Sequence, residues 1–437
     1  MMIPGTVKRP GDSIYNQKVW RNLMGQGKFE QVAANETNEK WSELIRRTDE
    51  LYSRKDDVRS PFARDYTRIL HSRAYRRLKH KTQVFFNIDN DHICTRMEHV
   101  AHVDSVSSTV AKRLGLNDEL TKAIAIGHDL GHAPFGHDGE TILNKLSQEY
   151  LHKPFWHEKN GLRFVDDLEL LEDNYKINRN LDLTYAVRDG IISHCGEVDE
   201  NGIKPRNDLI NLDDFSYPGE FQPATWEGCI VKIADKIAYV GRDIEDAIRL
   251  GFLDKDVQEQ LLQMARANDE NVLNTTVIMH NLIIDICENS SPEKGICLSP
   301  KFLGQLNEIK KFNYQHIYNN ERLIPFVEYS ELVIRQIFRV LRSTYKENDF
   351  WTAIEAKERY YPKLMRSFKK WLATYCDSKI IPLGDLREVA AQCENRKIYG
   401  SVNTEEEYIQ AIIDFISGMT DQFAVKIFNE LISYDTM

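Results

Sequence analysis

The sequence predicts an all-α protein with a few short strands. Gly (22) and Pro (13) are few for a chain of 437 residues, whereas residue types that favour helices, such as Leu, Ala, Glu, Lys and Arg, are plentiful. Apolar residues also recur at helical spacing, as Leu70, Ala74 and Leu78 do early in the chain. These observations together favour helices over sheets as the main architecture.

The length alone would suggest two or three domains, but no linker, internal repeat or low-complexity tract divides the chain. Residues 1–55 are polar and mixed, and they predict an N-terminal arm. Residues 56–255 hold the densest patterns and predict the core, while residues 256–437 alternate helical patterns with short breaks. We expect this helical C-terminal region to pack on the core, with a soft boundary near residue 255.

Local signals predict the order of elements within the core. The alternation and the Asn/Asp turn in TQVFFNIDNDHICTR, residues 82–96, predict a short hairpin. A helix with an apolar stripe follows and stops at Gly115, after which Asn117 or Asp118 caps the next helix. Residues 197–223 are polar and turn-rich and predict a loop excursion, and GCIVKIADKIAYVGRDIEDAIRLG then predicts another helix.

Charge and cysteine usage narrow the class of protein. The formal net charge of −10 argues weakly against a dedicated nucleic-acid binder, although it permits a local basic groove. The seven cysteines are scattered without a C-x-x-C motif, which is typical of reduced thiols in a cytoplasmic protein. No apolar run approaches the roughly 20 residues that span a bilayer, and the N-terminus lacks the apolar centre of a signal peptide. We therefore expect a soluble cytoplasmic protein with no membrane partner.

Histidine is concentrated in one part of the chain. Ten of the thirteen histidines lie between His71 and His157, and residues 127–140 read GHDLGHAPFGHDGE. As metal ligands, imidazole and carboxylate groups together suit Mn, Fe, Ni, Co or Zn better than they suit Ca or Mg. A cluster of this kind can also transfer protons near neutral pH.

Four residues are the best candidates for metal ligands. His128 and Asp129 are adjacent on a helix, so their side chains diverge by about 100° but can converge on an ion at the helix end. His99 and Asp235 each lie on an otherwise apolar helix, where such a group needs a partner. The alternative is that each histidine is a satisfied core residue and each aspartate a cap. The ordered set of four is more specific than the His-Asp dipeptide alone.

Five ordered motifs carry a resemblance to a known family: RILHSRAYRRLKHKTQVF, TRMEHVAHV, GHDLGHAPFGHDGE, FWHEKNGLRF and IADKIAYVGRD. They resemble the HD superfamily of metal-dependent phosphohydrolases, and more narrowly the deoxyguanosine triphosphate triphosphohydrolases. The resemblance covers at least residues 59–250, and AIIDFISGMTDQFAV near the C-terminus also resembles the family's closing helix. One departure is Ala133, since many members have two prolines before the Phe. The resemblance implies an HD-type helical catalytic core over residues 56–255.

The resemblance also implies roles for the site residues. One divalent ion per chain (Mn, Mg, Fe, Ni, Co or Zn) would be held by the four candidate ligands, which are His99, His128, Asp129 and Asp235. The catalytic residues would be a histidine oriented by an acidic residue and a second histidine that protonates the leaving oxygen, with a carboxylate behind it. These are His137 with Glu140, and His157 with Glu158.

Substrate contacts follow from the same resemblance. Phosphate contacts are implied for Arg96, His132 and Lys236, and Gln83 would lie near the sugar or the α-phosphate. The glycines of the 127–140 segment, including Gly131 and Gly139, would let the backbone approach the triphosphate.

The deoxyribose contacts have a basis in spacing as well. Asp235, Tyr239 and Asp243 follow at steps of four and form one helical stripe of roughly 12 Å. By resemblance, Tyr239 packs under the sugar and Asp243 accepts from its 3′-hydroxyl. The alternative is that Tyr239 is core packing and that Asp243 is solvated and paired with Arg242 or Lys236.

The resulting interpretation is metal-dependent hydrolysis of deoxynucleoside triphosphates, dGTP among them, to deoxynucleoside and inorganic triphosphate. One alternative is another HD phosphohydrolase: a nucleotide monophosphatase, a cyclic-nucleotide phosphodiesterase or an alarmone hydrolase. The other is a nucleic-acid-binding regulator whose HD site is vestigial. The resemblance further implies a homo-oligomer, a tetramer or hexamer, with an allosteric nucleotide or single-stranded DNA as candidate regulators.

Overall fold

Helices dominate the structure, a computed structural model that describes residues 27–49, 57–86, 92–195, 201–267, 275–347 and 349–433. The helices of the first half are α1 Trp41–Leu44, α2 Pro61–His71, α3 Arg73–Arg77, α4 Arg96–Leu114, α5 Asp118–Gly127, α6 Gly136–Leu151, α7 His157–Arg163, α8 Tyr185–Ile192 and α9 Trp226–Arg249. Those of the second half are α10 Lys255–Ala267, α11 Thr275–Asn289, α12 Pro300–Asn313, α13 Ile324–Arg342, α14 Phe350–Glu358, α15 Pro362–Tyr375, α16 Asp385–Ala391, α17 Glu405–Ser417 and α18 Asp421–Ile432. The predicted mostly helical fold class is confirmed. No described helix is long and apolar enough to cross a membrane.

Local capping explains where the central helices begin and end. Thr95 and Glu98 form a capping box at the start of α4, and Gly115 ends that helix with a left-handed φ of 82°. The side chain of Asn117 accepts the backbone N–H groups of Glu119 and Leu120, so Asn117 is the residue that caps α5. The predicted stop and one of the two predicted caps are thus present.

The strands form one small sheet that joins the two halves of the chain. β1 Leu170–Glu172 pairs antiparallel with β2 Asn178–Asn180, and β2 pairs parallel with β3 Cys393–Glu394. The hairpin predicted over residues 82–96 is reduced, in the residues that are described, to a single antiparallel bridge between Thr82 and Thr95. Residues 87–91 lie outside the described residues.

The predicted loop excursion over residues 197–223 is largely irregular. From residue 201 onward it contains a 3-10 turn at Leu212–Asp214 and an isolated bridge between Ile203 and Ile296. Residues 196–200 lie outside the described residues.

Two hydrophobic cores both draw on residues from each side of the soft boundary near 255. The first joins Val103 and Ile124 to Ile334 and Ile412, among others. The second includes Ile244 of α9 together with residues of α11 and α12. Burial of this kind is non-directional and holds the C-terminal helices on the central ones. The three predicted domain ranges themselves stay a prediction.

The described part of the predicted N-terminal arm is packed rather than peripheral. Phe29 and Leu44 are buried, and the ring of Phe29 meets Trp226 edge-on at 4.9 Å. The buried carboxylate of Glu227 accepts the backbone N–H of Ala34 at 2.9 Å. Residues 1–26 and 50–56, also part of that prediction or next to it, lie outside the described residues.

Candidate active site

The four candidate metal ligands converge where α4, the end of α5 and α9 meet. His99 lies on α4, His128 and Asp129 lie in the 3-10 turn His128–Gly131 that follows α5, and Asp235 lies on α9. Nε2 of His99 is 2.9 Å from Oδ1 of Asp235, and Nε2 of His128 is 3.8 Å from that same oxygen. Asp129 closes the group, since its Oδ1 is 3.5 Å from Nε2 of His128. Residues separated by up to 136 positions along the chain are therefore brought together.

The His128 ring is oriented so that one nitrogen faces this cluster. Its Nδ1 lies 2.6 Å from the carbonyl oxygen of Ala125, which leaves Nε2 directed at Asp129 and Asp235. Nε2 is buried and has no hydrogen-bond partner among the described residues. A buried imidazole nitrogen without a partner, aimed at two carboxylates, fits a divalent cation, because the backbone carbonyl fixes the tautomer that a metal ligand needs.

Charge within the cluster favours the ionised carboxylates. Burial opposes the charged form of Asp235, but the hydrogen bond with His99 and the nearby His128 ring lower the pKa of Asp235 to about 2. The pKa of Asp129 is held well below its usual value against the same burial, because His132 and Arg96 lie beside it. Two ionised carboxylates next to two imidazoles are a donor set that suits a transition metal.

Arg96 lies at the edge of this group and is almost fully buried. Its Nη1 donates to Oδ2 of Asp129 at 2.9 Å. Its Nε and Nη2 are buried without a hydrogen-bond partner in the described part of the chain. Guanidinium donors left over in this way can bind the oxygens of an anion, and the phosphate contact of Arg96 stays a prediction.

A second group of three histidines and one glutamate lies next to the first. The ring of His132 stacks on that of His157 with centroids 3.9 Å apart, and Nε2 of His132 lies 2.9 Å from Oδ1 of Asp129. His132 therefore links the two groups. The ligand-capable atoms of His132, His137, Glu140 and His157 all lie within 4.8 Å of one another.

Glu140 contacts His157 more closely than it contacts His137. Its Oε2 is 3.0 Å from Nδ1 of His157, and its Oε1 accepts the backbone N–H of that residue at 3.1 Å. Nδ1 of His137 is 3.6 Å from Oε2, and the His137 side chain is 72% exposed. The predicted partner of His157 is also present, because Oε2 of Glu158 lies 3.4 Å from Nδ1 of His157.

The environment of His157 favours its protonated form. Burial alone would lower the pKa of His157, but the Glu158 and Glu140 carboxylates raise it to about 9. A protonated imidazole is suited to donate a proton to a leaving oxygen, which is the role predicted for His157.

The glycines of the 127–140 segment make room for the protein's own backbone. A Cβ on Gly131 would lie 2.0 Å from the carbonyl oxygen of His157, and one on Gly139 would lie 1.8 Å from that of Pro134. Gly131 thus lets the start of α7 approach the metal-ligand turn and brings His157 beside His132. The predicted role of these glycines in approaching a triphosphate stays a prediction.

On α9, Asp243 is buried and has a partner that the sequence reasoning missed. Its Oδ2 accepts the hydroxyl of Tyr318 at 2.6 Å, and burial raises the pKa of Asp243 to about 6. Tyr318 belongs to a π-helical turn, Tyr314–Tyr318. The side chain of Asn313, just before this turn, donates to the carbonyl oxygen of Val240 on α9. A solvated Asp243 is wrong, since the residue is buried; Arg242, one of its two alternative partners, donates to Glu245, and pairing with Lys236 stays a prediction.

The remaining predicted substrate residues have mixed surroundings. Tyr239 is half-buried and packs against the second hydrophobic core, Lys236 is buried, and Oε1 of Gln83 is buried without a hydrogen-bond partner in the described segments. The carbonyl oxygen of Gln83 lies within 3.5 Å of where a Cβ on Gly136 would be, so Gln83 borders the turn that precedes α6.

His194, which no sequence pattern singled out, is buried between the two groups. Its ring lies 5.0 Å from that of His128 and 5.3 Å from that of His157. Burial, together with these two rings, lowers the pKa of His194 to about 3. The available signal was the one that pointed to His99: a lone imidazole at the end of an apolar helix needs a partner.

Comparisons with known proteins agree with this geometry. The family model of the HD domain matches residues 96–240, a range that holds all four candidate ligands. The chain is 31% identical to a deoxyguanosinetriphosphate triphosphohydrolase-like protein of Clostridium tetani, over 86% of this chain and 87% of that protein. A protein of the same name from Caldanaerobacter subterraneus subsp. tengcongensis is also 31% identical, over 86% of each chain. One from Desulfatibacillum aliphaticivorans is 36% identical, over 67% of this chain and 75% of that protein.

The helical fold and the His/Asp cluster define an HD-domain phosphohydrolase with candidate metal-binding groups. Within that class, the chain belongs to the deoxyguanosinetriphosphate triphosphohydrolase-like family.

Proposed function

We propose that this protein hydrolyses deoxynucleoside triphosphates, dGTP among them, to a deoxynucleoside and inorganic triphosphate. The observation that carries the proposal is the position of Arg96, whose guanidinium donates to Asp129 and has two further buried nitrogens, without partners among the described residues, beside the candidate ligands. Transfer at a phosphorus atom depends mainly on positioning and charge neutralisation. The name that the relatives carry supports the choice of a triphosphate substrate.

The residues present fit one divalent cation, held by His99, His128, Asp129 and Asp235. A divalent ion bound there would polarise a phosphoryl oxygen and lower the pKa of a bound water.

The second group supplies the proton chemistry in this proposal. Glu140 and Glu158 hold the His157 ring and keep it protonated, so that its proton is available to the leaving oxygen. His137, on the first turn of α6, has an exposed side chain beside Glu140 and shares the proton transfers with His157 in this proposal. Arg96, His132 and Lys236 would bind the phosphates, and His132 would also orient Asp129, which it contacts at 2.9 Å.

The phosphorus product distinguishes this proposal from other HD phosphohydrolases. We expect wild-type protein incubated with each deoxynucleoside triphosphate and Mn²⁺ or Mg²⁺ to release inorganic triphosphate and the deoxynucleoside in equal amounts. Anion-exchange and reversed-phase chromatography measure the two products, and a parallel reaction with chelator is the control. Pyrophosphate or single phosphate as the primary product would move the protein to a different reaction class. Hydrolysis of a nucleoside monophosphate, a cyclic nucleotide or an alarmone instead would favour the first alternative.

The second alternative, a nucleic-acid-binding regulator with a vestigial site, has less support. His99, His128 and Asp235 converge in space, Asp129 contacts His128, and the histidine group lies beside them, an arrangement that a decayed site would not need. A gel shift with single-stranded DNA beside the nucleotide assay separates the two. A tetrameric or hexameric assembly, regulation by a second nucleotide or by single-stranded DNA, and a cytoplasmic location stay predictions.

The stripe on α9 leads to a prediction about the sugar. Since Tyr239 would occupy the space that a 2′-hydroxyl needs, we expect dGTP to be hydrolysed roughly 100-fold faster than GTP. Discrimination of about this size is typical when a pocket rejects one added hydroxyl. Tyr239→Ala should reduce that ratio to about tenfold or less, because the space is then open, while Tyr239→Phe keeps the ring and should keep the ratio. Steady-state kcat/KM for both nucleotides measures the effect. Equal wild-type rates on dGTP and GTP would contradict the assignment.

The same stripe predicts a role for the 3′-hydroxyl. Asp243→Ala should weaken binding of 3′-hydroxyl nucleotides more than of 3′-deoxy analogues, because it removes the acceptor that Tyr318 holds. Inhibition constants for the two classes of analogue test this, and an equal loss for both would contradict it.

A further inference from the structure

Asp421, the first residue of α18, is a buried carboxylate that bonds to two other parts of the chain. The residue is 3% exposed. Its Oδ1 accepts the backbone N–H of Phe135 at 2.8 Å, and its Oδ2 accepts the backbone N–H of Thr82 at 2.7 Å. These partners lie 286 and 339 residues earlier in the chain. One side chain of the C-terminal region therefore joins two loops of the HD core.

Lys81 makes a second connection among the same three segments. Its buried Nζ donates to the carbonyl oxygen of His132 and, at 3.2 Å, to that of Ser417, the last residue of α17. The connection between α17 and α18 is thus bound to the 81–83 loop and to the turn of residues 132–136 through two independent side chains.

The turn of residues 132–136 needs such support. Phe135 has a φ of 67° and Gly136 a φ of 62°, so a residue with a large side chain lies in the left-handed region. That conformation is unfavourable for Phe and persists where the surroundings hold it. The turn also sets the direction of α6, which carries His137 and Glu140. Phe135 is the N-cap of that helix, and its backbone N–H donates to Asp421.

The second loop borders the site as well. Thr82 bridges Thr95, the residue that caps α4, and Gln83 follows Thr82 directly. The carboxylate of Asp421 therefore fixes the distance between the start of α4 and the start of α6. Arg96 and His99 lie on the former helix and His137 on the latter.

We infer that Asp421 is a positioning residue for the proposed hydrolysis, and that it acts through the turn that carries His132 and leads to His137. Lys81 supports the same turn through its hydrogen bonds with His132 and Ser417. This inference rests on the proposed function and assigns a role in the active site to the C-terminal GMTDQF motif. Asp421 itself contacts neither the candidate ligands nor the second histidine group.

The test compares two buried carboxylates of similar structural function. Glu227 also accepts two backbone N–H groups from distant segments, those of Ala34 and Asn117, each at 2.9 Å. Asp421→Ala and Glu227→Ala should both lower the melting temperature, because each leaves buried N–H groups without an acceptor. Asp421→Asn keeps one acceptor and provides a milder variant if the alanine variant does not fold.

The kinetic expectation separates positioning from stability. At a temperature where all variants are folded, the Asp421 variants should lose roughly 10- to 100-fold in kcat for dGTP, the scale of a small misplacement of catalytic groups. KM and metal content should change little. Glu227→Ala should keep the wild-type kcat. Wild-type kcat in folded Asp421→Ala, or an equal loss in Glu227→Ala, would overturn the inference.

A double mutant tests the route of the effect. Because Asp421 acts in part through the turn that leads to His137, the loss in the Asp421→Ala/His137→Ala double mutant should be smaller than the product of the two single losses. Multiplication of the two losses would place the action of Asp421 elsewhere and contradict the inference.

Amide hydrogen exchange keeps the inference separate from the proposed function. If wild-type protein hydrolysed no deoxynucleoside triphosphate, the proposed function would fail. The role of Asp421 in holding the two loops would still be testable. Peptides that cover residues 81–83 and 132–137 should exchange faster in Asp421→Ala than in wild type or Glu227→Ala. Unchanged protection of both segments would show that Asp421 does not hold them in place and would overturn the inference.

Discussion

His128→Ala is expected to leave a folded protein that binds almost no divalent metal and hydrolyses almost no dGTP. The reason is that Nε2 of His128 is a buried nitrogen without a partner among the described residues, aimed at Asp129 and Asp235. The variant therefore lacks one of the four candidate metal ligands, and the two carboxylates remain without the imidazole nitrogen between them. The loss of turnover should exceed the roughly 10- to 100-fold that follows from changes to residues behind the ligands. Metal content by plasma mass spectrometry and turnover of dGTP with Mn²⁺ measure the two effects.

The matched control for this prediction is His102→Ala. His102 lies on α4, the same helix as His99, but it is half-buried and lies outside the candidate ligand groups. This variant should keep both metal and turnover. Full metal occupancy and full turnover in His128→Ala would show that His128 is a core histidine rather than a ligand.

His137→Ala should lose turnover by roughly 10²- to 10⁴-fold, the range for removal of a group that transfers a proton. It should still bind metal and nucleotide, because the candidate metal ligands lie on α4, α9 and the 3-10 turn rather than on α6. Its melting temperature should hardly change, since the His137 side chain is 72% exposed. Calorimetric titration of nucleotide, metal analysis and kcat together test the prediction.

The competing interpretation is that His137 only supports the glycine-rich turn. Folded His137→Ala would then keep its specific activity and lose stability instead. The control is His152→Ala, which removes an exposed histidine at the other end of the same helix and should change neither quantity.

Features that depend on a few neighbouring residues could be predicted from the sequence. Gly115 ends α4 and Asn117 caps α5 as expected, because capping involves hydrogen bonds within three or four residues. The candidate ligands could be identified for a related reason, since a polar group on an apolar helix needs a partner wherever that helix packs. Of the hairpin predicted over residues 82–96, the described residues show one antiparallel bridge, between Thr82 and Thr95, because alternation reports local preference only. In that segment the N–H of Thr82 donates to Asp421, a residue far away in the chain that no local pattern indicates.

By itself, the sequence determined the helical class, the family motifs and the set of polar residues that had to find partners. Only the tertiary structure decided which partners they have. Glu140 holds His157 more closely than His137, Tyr318 holds Asp243, and His194 lies between the two histidine groups. The physical reason is that spacing along one helix fixes which side chains share a face. Contacts between segments far apart in the chain depend instead on how helices pack, and no local pattern specifies that packing.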